Sequence, residues 1–215
     1  MHTFLRKALV IGLATLAAVT LLVSSQWATP VAADDHAAPD TQATPTSLYV
    51  SPNERIGVGL VWGVADITTY DMTKLDAGWF ADWAYRLNPP HPNGMDYQPL
   101  VPTGRNSYPP NWWWMAERIL NNRGLLWIVG NEPEAPFMEN YTPAQYAVIY
   151  HDVYHFIKNI DPTAQVTIGG VIQPSPLRLQ WLDMLWQEYQ TRYGAPLPLD
   201  VMNTHMQILN EVSCS

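Results

Sequence analysis

The chain has 215 residues, of which 47% are hydrophobic and only 14% are charged, so a domain with a large core is expected and extensive disorder is excluded. Nineteen acidic residues against eleven basic ones give a net charge of −8, which argues against nucleic acid and anionic membrane surfaces as partners. The one cysteine, Cys214, excludes an internal disulfide framework and a cysteine-based metal cluster, and we expect no metal and no cofactor.

The first 33 residues have the pattern of a secretory signal peptide. Arg6 and Lys7 precede sixteen mostly apolar residues, and a small-residue site, Val31-Ala32-Ala33, follows. Sixteen residues are few for a membrane span of about twenty, so we expect cleavage and export to the cell exterior or cell surface, with an uncleaved anchor as the alternative. After cleavage we expect a monomer without stable membrane association. Residues 34–50, rich in Ala, Thr, Pro and Asp, are predicted to be a flexible linker.

Strand-like and helix-like segments alternate through residues 51–215. Two helices are marked by caps: one begins at the capping box of Thr142 and Gln145 and ends at Asp161, and one follows Ser175 and stops at Gly194. Another helix is predicted at 111–122. The predicted strands are apolar segments rich in β-branched or aromatic residues, at 55–63, 78–86, 96–102, 125–130, 164–172 and 199–206.

Alternation of this kind predicts an α/β fold with parallel strands. A doubly wound sheet is one arrangement, but no Gly-rich phosphate loop follows the first strand. The sequence therefore favours a (β/α)8 barrel of the TIM type, incomplete in this chain because only about six strands are found. A typical barrel needs about 250 residues, and 51–215 supplies 165.

His151 and His155 are four residues apart on the second predicted helix, which is the spacing of two metal ligands. They lie opposite the apolar face of that helix, and no third ligand is near in sequence. A solvated polar face is therefore predicted instead of a metal site.

Carboxylates follow the most convincing strand, in "LLWIVGNEPEAP" at 125–136. Active sites of parallel α/β barrels lie where strands end, which places Asn131 and Glu132 at such a position. Cleavage of a glycosidic bond needs a carboxylic acid to protonate the leaving oxygen, whereas an exposed acidic turn is the alternative interpretation. Aromatic faces pack against sugar rings, and the plausible cleft-lining residues are Trp62, Trp83 and Trp127.

The strand followed by Asn-Glu-Pro closely resembles the fourth strand of the clan A glycoside hydrolases, and "GWFADW" is similar to the aromatic-rich strands of its cellulase-like and β-1,3-glucanase-like secreted families. The resemblance covers roughly 51–215. It implies a (β/α)8-barrel glycosidase domain that cleaves polysaccharide or oligosaccharide by retaining double displacement. By the same resemblance Glu132 is the general acid/base, Asn131 binds substrate, and His205 in "NTHMQ" lies in the cleft.

The sequence departs from this clan at the nucleophile, a glutamate that ends the seventh strand. The sixth predicted strand ends near His205, with ten residues left, so the nucleophile and two strands are expected to be missing from an early-ending chain that is an inactive fragment in this form. Two other classes remain open: a secreted carbohydrate-binding protein without catalysis, and an unrelated α/β domain.

Overall fold

The computed structural model describes residues 55–61 and 66–206. The predicted signal peptide, the linker, Trp62 and Cys214 lie outside these ranges. Within them, no helix is long and apolar enough to span a membrane.

The strands are parallel and form two ladders, in each of which the strand order follows the chain. They are β1 (Gly57–Gly59), β2 (Trp79–Ala81), β3 (Asp96–Tyr97), β4 (Leu100–Val101), β5 (Leu126–Val129) and β6 (Gln165–Ile168). One ladder has the order β1-β2-β3 and the other β4-β5-β6. The first five sequence-predicted strands are present but shorter, and the third is divided into β3 and β4.

The two ladders are joined through the residues between β3 and β4. Gln98 N–H donates to the Phe80 carbonyl at 2.8 Å, and Ile128 N–H donates to the Pro99 carbonyl at 2.8 Å. Strand order therefore follows chain order throughout, as in a barrel, without the reversal that defines a doubly wound sheet. The fold is α/β with partial barrel content.

The sixth predicted strand, 199–206, is wrong as a continuous strand. It makes one isolated parallel bridge, between Val171 and Thr204. Two more backbone bonds keep it beside β6, since Asp200 N–H donates to the Val166 carbonyl at 3.1 Å and His205 N–H donates to the Val171 carbonyl at 2.8 Å. The segment 199–206 is therefore held beside β6 at the edge of the sheet without forming a full ladder.

The three predicted helices are confirmed as α1 (Trp112–Asn121), α2 (Pro143–Ile160) and α3 (Pro176–Tyr193). The capping box that begins α2 is present: Thr142 Oγ1 accepts from Gln145 N–H, and Gln145 Oε1 accepts from Thr142 N–H. Between β1, β2 and β3 the described chain forms only short 3-10 turns, at Ile67–Thr69, Met72–Lys74 and Pro92–Gly94.

The helices cover one face of the sheet and form the main core with it. Side chains that point outward from β5 and β6 are fully buried against them, with Trp127 opposite Val166 and Val129 opposite Ile168. The opposite face of β5, which carries Leu126 and Ile128, is only half-buried and lines an open cavity. Hydrophobic burial on the helical side is what holds the later strands in place.

The prediction that the two histidines of α2 form a solvated face is wrong for His151. Its ring stacks on Tyr193 of α3 with centroids 3.7 Å apart, and its Nδ1 lies 2.8 Å from the Tyr189 hydroxyl. Burial, with His155 as the next contribution, lowers the pKa of His151. Helix–helix packing between α2 and α3 uses this residue, so the helical wheel of α2 alone did not predict its environment.

Thr142 and Ser175 offer a matched pair of helix caps. Thr142→Ala is expected to lower the free energy of unfolding by about 1 kcal/mol, because the N-cap hydrogen bond to the Gln145 N–H is lost. Ser175 makes no capping bond, and Ser175→Ala is expected to cost less than about 0.5 kcal/mol. Urea unfolding followed by circular dichroism measures both, and equal losses would contradict the capping assignment.

Candidate active site

The backbone turns sharply where β5 ends. Gly130 has φ +78° and Glu132 has φ +49°, both in the left-handed region. Glycine adopts this conformation freely, whereas for glutamate it costs on the order of 1–3 kcal/mol. Two hydrogen bonds hold Glu132 there: its N–H donates to the Gly170 carbonyl at 3.2 Å, and its carbonyl accepts from Ala135 N–H at 3.0 Å.

The turn directs the Glu132 side chain toward the segment 199–206, which follows α3 and lies beside β6. Glu132 is only 5% exposed, and its Oε1 lies 2.8 Å from Nδ1 of His205. The two residues are 73 positions apart in the chain. They meet because their segments both leave the same carboxyl-terminal edge of parallel strands. Among the described residues, Glu132 Oε2 has no hydrogen-bond partner, so this oxygen is the one left for a ligand.

Gly170 makes room for the imidazole of His205. A Cβ at this position would lie 2.7 Å from His205 Cδ2 and 2.9 Å from its Nε2, closer than real Cβ contacts. The same glycine supplies the carbonyl that accepts from Glu132 N–H. The pairing of Glu132 with His205 therefore requires a residue without a side chain, glycine, at position 170.

Asn131 lies half-buried beside Glu132. Its backbone N–H donates to Oε1 of Glu139 at 3.0 Å. Its side-chain amide forms no hydrogen bond to the described residues and is left to interact with a ligand. The structure thus brings together three of the sequence-predicted residues, namely Asn131, Glu132 and His205.

Two further carboxylates of the same loop were not singled out from the sequence. Glu134 Oε1 accepts from Ile172 N–H and from Arg178 Nε, both at 2.9 Å, which ties the loop after β5 to the start of α3. Glu139 is buried and accepts from the hydroxyl of Thr103 at 2.8 Å. Burial raises the pKa of Glu139, and the nearby Glu134 adds to that effect. The available signal was two acidic residues in an otherwise apolar and proline-containing loop.

Of the predicted cleft-lining tryptophans that the structure describes, one lies at this edge and one does not. Trp127 has no exposed surface and packs outward in the main core, where a ligand does not reach it. Trp83 follows β2 at the same edge as Glu132 and is 39% exposed. Trp62 lies outside the described residues, so its role stays a prediction.

The open face of the sheet borders a cavity of about 770 Å³. Its lining comes largely from residues at the start of each strand, such as Gly78, Asp96 and Gln165, and neither Glu132 nor His205 contributes. The cavity is therefore separate from the paired acid and imidazole. We place the site at the edge where the strands end, because that is where the buried carboxyl and its partner lie.

In the described ranges, no group of three or more His, Cys, Asp or Glu side chains is arranged to hold a metal ion. The site itself presents a carboxyl, an imidazole and a carboxamide, groups that can transfer protons and form hydrogen bonds to hydroxyl groups.

No protein-family model and no curated protein sequence matches the chain. Solved structures do. An endo-β-1,3-glucanase of glycoside hydrolase family GH128 (subgroup II) from Pseudomonas viridiflava superposes with a TM-score of 0.52 and 17% identity, covering 67% of this chain and 58% of that one. A subgroup II enzyme from Sorangium cellulosum superposes with a TM-score of 0.49 and 18% identity, over 69% and 59% of the two chains.

A GH128 (subgroup III) curdlan-specific exo-β-1,3-glucanase from Blastomyces gilchristii also superposes, with a TM-score of 0.49 and 19% identity over 65% and 57% of the two chains. The chain thus spans less than two thirds of the length of these neighbours. At 17% identity the likeness to the Pseudomonas enzyme shows the fold alone, a parallel α/β architecture with partial barrel content.

Gly170→Ala tests the close approach of His205. The added methyl group overlaps the imidazole and is expected to lower the free energy of unfolding by about 1–3 kcal/mol, through overpacking. Gly59→Ala is the control, since a Cβ there meets no atom within 4 Å, and its expected effect is within about 0.5–1 kcal/mol. Chemical denaturation compares the two, and a Gly170→Ala protein as stable as Gly59→Ala would disprove the steric argument.

Proposed function

We propose that the protein hydrolyses O-glycosidic bonds of a polysaccharide or oligosaccharide, with Glu132 as the general acid/base. The observation that carries this proposal is the buried Glu132 carboxyl, held 2.8 Å from His205 at the edge where the strands end. An acid in this position meets the first requirement of the reaction, a proton delivered to the leaving oxygen.

His205 supports this role by fixing one carboxyl oxygen. With Oε1 bound to the imidazole, Oε2 is the oxygen that would face the glycosidic oxygen and transfer the proton. Asn131 would donate its side-chain amide to a sugar hydroxyl, and the exposed ring of Trp83 offers a surface for an apolar sugar face. These assignments are part of the proposal.

We further propose retaining double displacement, which needs a second carboxyl about 5–5.5 Å from the first. Glu134 is bound to Arg178 and Ile172, and Glu139 is bound to Thr103 and Asn131. Both oxygens of Glu139 are thus bonded, and Glu134 Oε2, which has no partner among the described residues, is buried. Neither carboxyl presents an exposed oxygen to a sugar carbon. The proposal therefore assigns the nucleophile to a residue outside the described ranges.

A β-1,3-glucan is the substrate class we propose first. The support is the fold shared with the Pseudomonas enzyme, whose own activity is endo-β-1,3-glucanase. Export through residues 1–33 belongs to the same proposal, because the substrate would then be an extracellular or cell-surface polysaccharide. The mass of the exported protein would show whether the leader is removed.

Glu132→Gln tests the catalytic role. The amide keeps the size of the side chain but is far too weak an acid to protonate the leaving oxygen, so release of reducing ends from laminarin is expected to fall by at least about 100-fold. Binding of laminaritriose, measured by calorimetry, is expected to change by less than about threefold. Glu188→Gln, an exposed glutamate of α3, is the matched control and is expected to behave like the wild type.

Three results would count against parts of the proposal. Hydrolysis that is unaffected by Glu132→Gln would remove the acid/base assignment. A wild-type protein that binds laminaritriose but does not cleave it would favour carbohydrate binding without catalysis. A protein with neither property would have another function on the same fold.

A further inference from the structure

We infer that Glu139 is a positioning residue, which holds the turn at 130–132 and thereby sets where the Glu132 carboxyl stands. The inference deepens the proposed function and rests on it for its meaning in catalysis. Glu139 would touch neither substrate nor reacting atoms and would act only through its neighbours.

Both oxygens of the Glu139 carboxyl are used. Oε1 accepts from the backbone N–H of Asn131 at 3.0 Å, and Oε2 accepts from the hydroxyl of Thr103 at 2.8 Å. Thr103 follows β4, whereas Asn131 follows β5. One buried carboxyl thus joins the ends of two neighbouring strands, and it does so directly before the residue proposed as the acid.

The carboxyl also lies against the backbone of the turn. A Cβ at Gly130 would meet Thr103 Oγ1 and would come within 2.7 Å of Glu139 Oε2 and 3.0 Å of Oε1. The absence of a side chain at Gly130 is therefore needed twice, for the positive φ and for this contact. Such close packing leaves the turn little freedom to shift without breaking the bonds to Glu139.

The bonded N–H belongs to Asn131, which stands between two residues with left-handed backbone, Gly130 and Glu132. A strained residue persists only where its surroundings determine its conformation. Glu139 supplies the acceptor for the central N–H of the turn, that of Asn131, next to the strained Glu132. Loss of that acceptor should let Glu132 relax, and its carboxyl should then move away from His205.

The same bonds are available in either protonation state of Glu139. Burial raises its pKa, but a protonated carboxyl still accepts from Asn131 N–H through one oxygen and donates through the other to Thr103 Oγ1. A glutamine reproduces this pattern with its carbonyl and amide groups. Glu139→Gln should consequently keep the turn in place, whereas Glu139→Ala should release it.

The test follows the imidazole of His205 by NMR in the full-length protein labelled with ¹⁵N-histidine. The His205 signals are assigned from their loss in His205→Gln. We expect Glu139→Ala to shift them, because the bond to Glu132 is disturbed, and Glu139→Gln to leave them at the wild-type positions. Wild-type signals in Glu139→Ala, or displaced signals in Glu139→Gln, would overturn the inference.

Asp161→Ala is the matched control for general destabilisation. Asp161 is another buried carboxylate that accepts from backbone amides, Gly124 N–H at 2.7 Å and Thr163 N–H at 3.1 Å, but it lies near the start of β5 and β6. Its removal should lower the melting temperature and leave the His205 signals in place. An equal shift of those signals in Asp161→Ala would show that Glu139 has no special link to the site.

A second variant and a binding measurement complete the test of Glu139. Should Glu139→Ala not fold, Thr103→Val removes only the bond to Oε2 and is expected to shift the same His205 signals by a smaller amount; unchanged signals would contradict the inference. Laminaritriose binding is expected to weaken roughly tenfold in Glu139→Ala and to be restored in Glu139→Gln. A wild-type protein that does not bind the sugar would defeat the proposed function, while the His205 signals would still decide the role of Glu139.

Discussion

A single bend of the backbone at Gly130–Glu132 separates the buried outward face of β5 from the carboxyl presented at the edge of the sheet. Left-handed dihedral angles at both residues give the bend its direction. Hydrogen bonds to the Gly170 carbonyl and to the Glu139 carboxyl hold the bend in place. Glu132 then contacts the His205 imidazole, which fits there because residue 170 is a glycine. Each further feature of the candidate site depends on this bend.

The position of the bend follows from the separation of apolar and polar residues in this fold. One face of the sheet is buried under α1, α2 and α3, which provides the apolar area that stabilises β5 and β6. Polar groups cannot be placed there without cost, so they collect where the strands end and the chain leaves the sheet. The cavity on the other face, near the strand starts, has a different lining and is not part of that edge.

The three helices could be predicted from the sequence, because proline, capping residues and apolar spacing are local signals. The sequence was also sufficient for Asn131 and Glu132, which directly follow a strongly apolar strand. The environment of Trp127 could not be predicted, because it depends on which face of β5 the helices cover. The environment of His151 could not be predicted either, because its partners belong to α3. Gly170 had no sequence signal of its own, and Glu139 had only its acidic character in the loop after β5, since their importance lies in contacts between loops far apart in the chain.

Amide NMR during titration with laminaritriose is the most direct test of the carbohydrate site proposed at the edge around Glu132. Shifts concentrated at Asn131, Glu132, Val171 and His205, with Gly78 and Gln165 unchanged, are the predicted result. Shifts at the cavity residues with none at the Glu132 edge would place the ligand on the open face of the sheet and would contradict the proposed site.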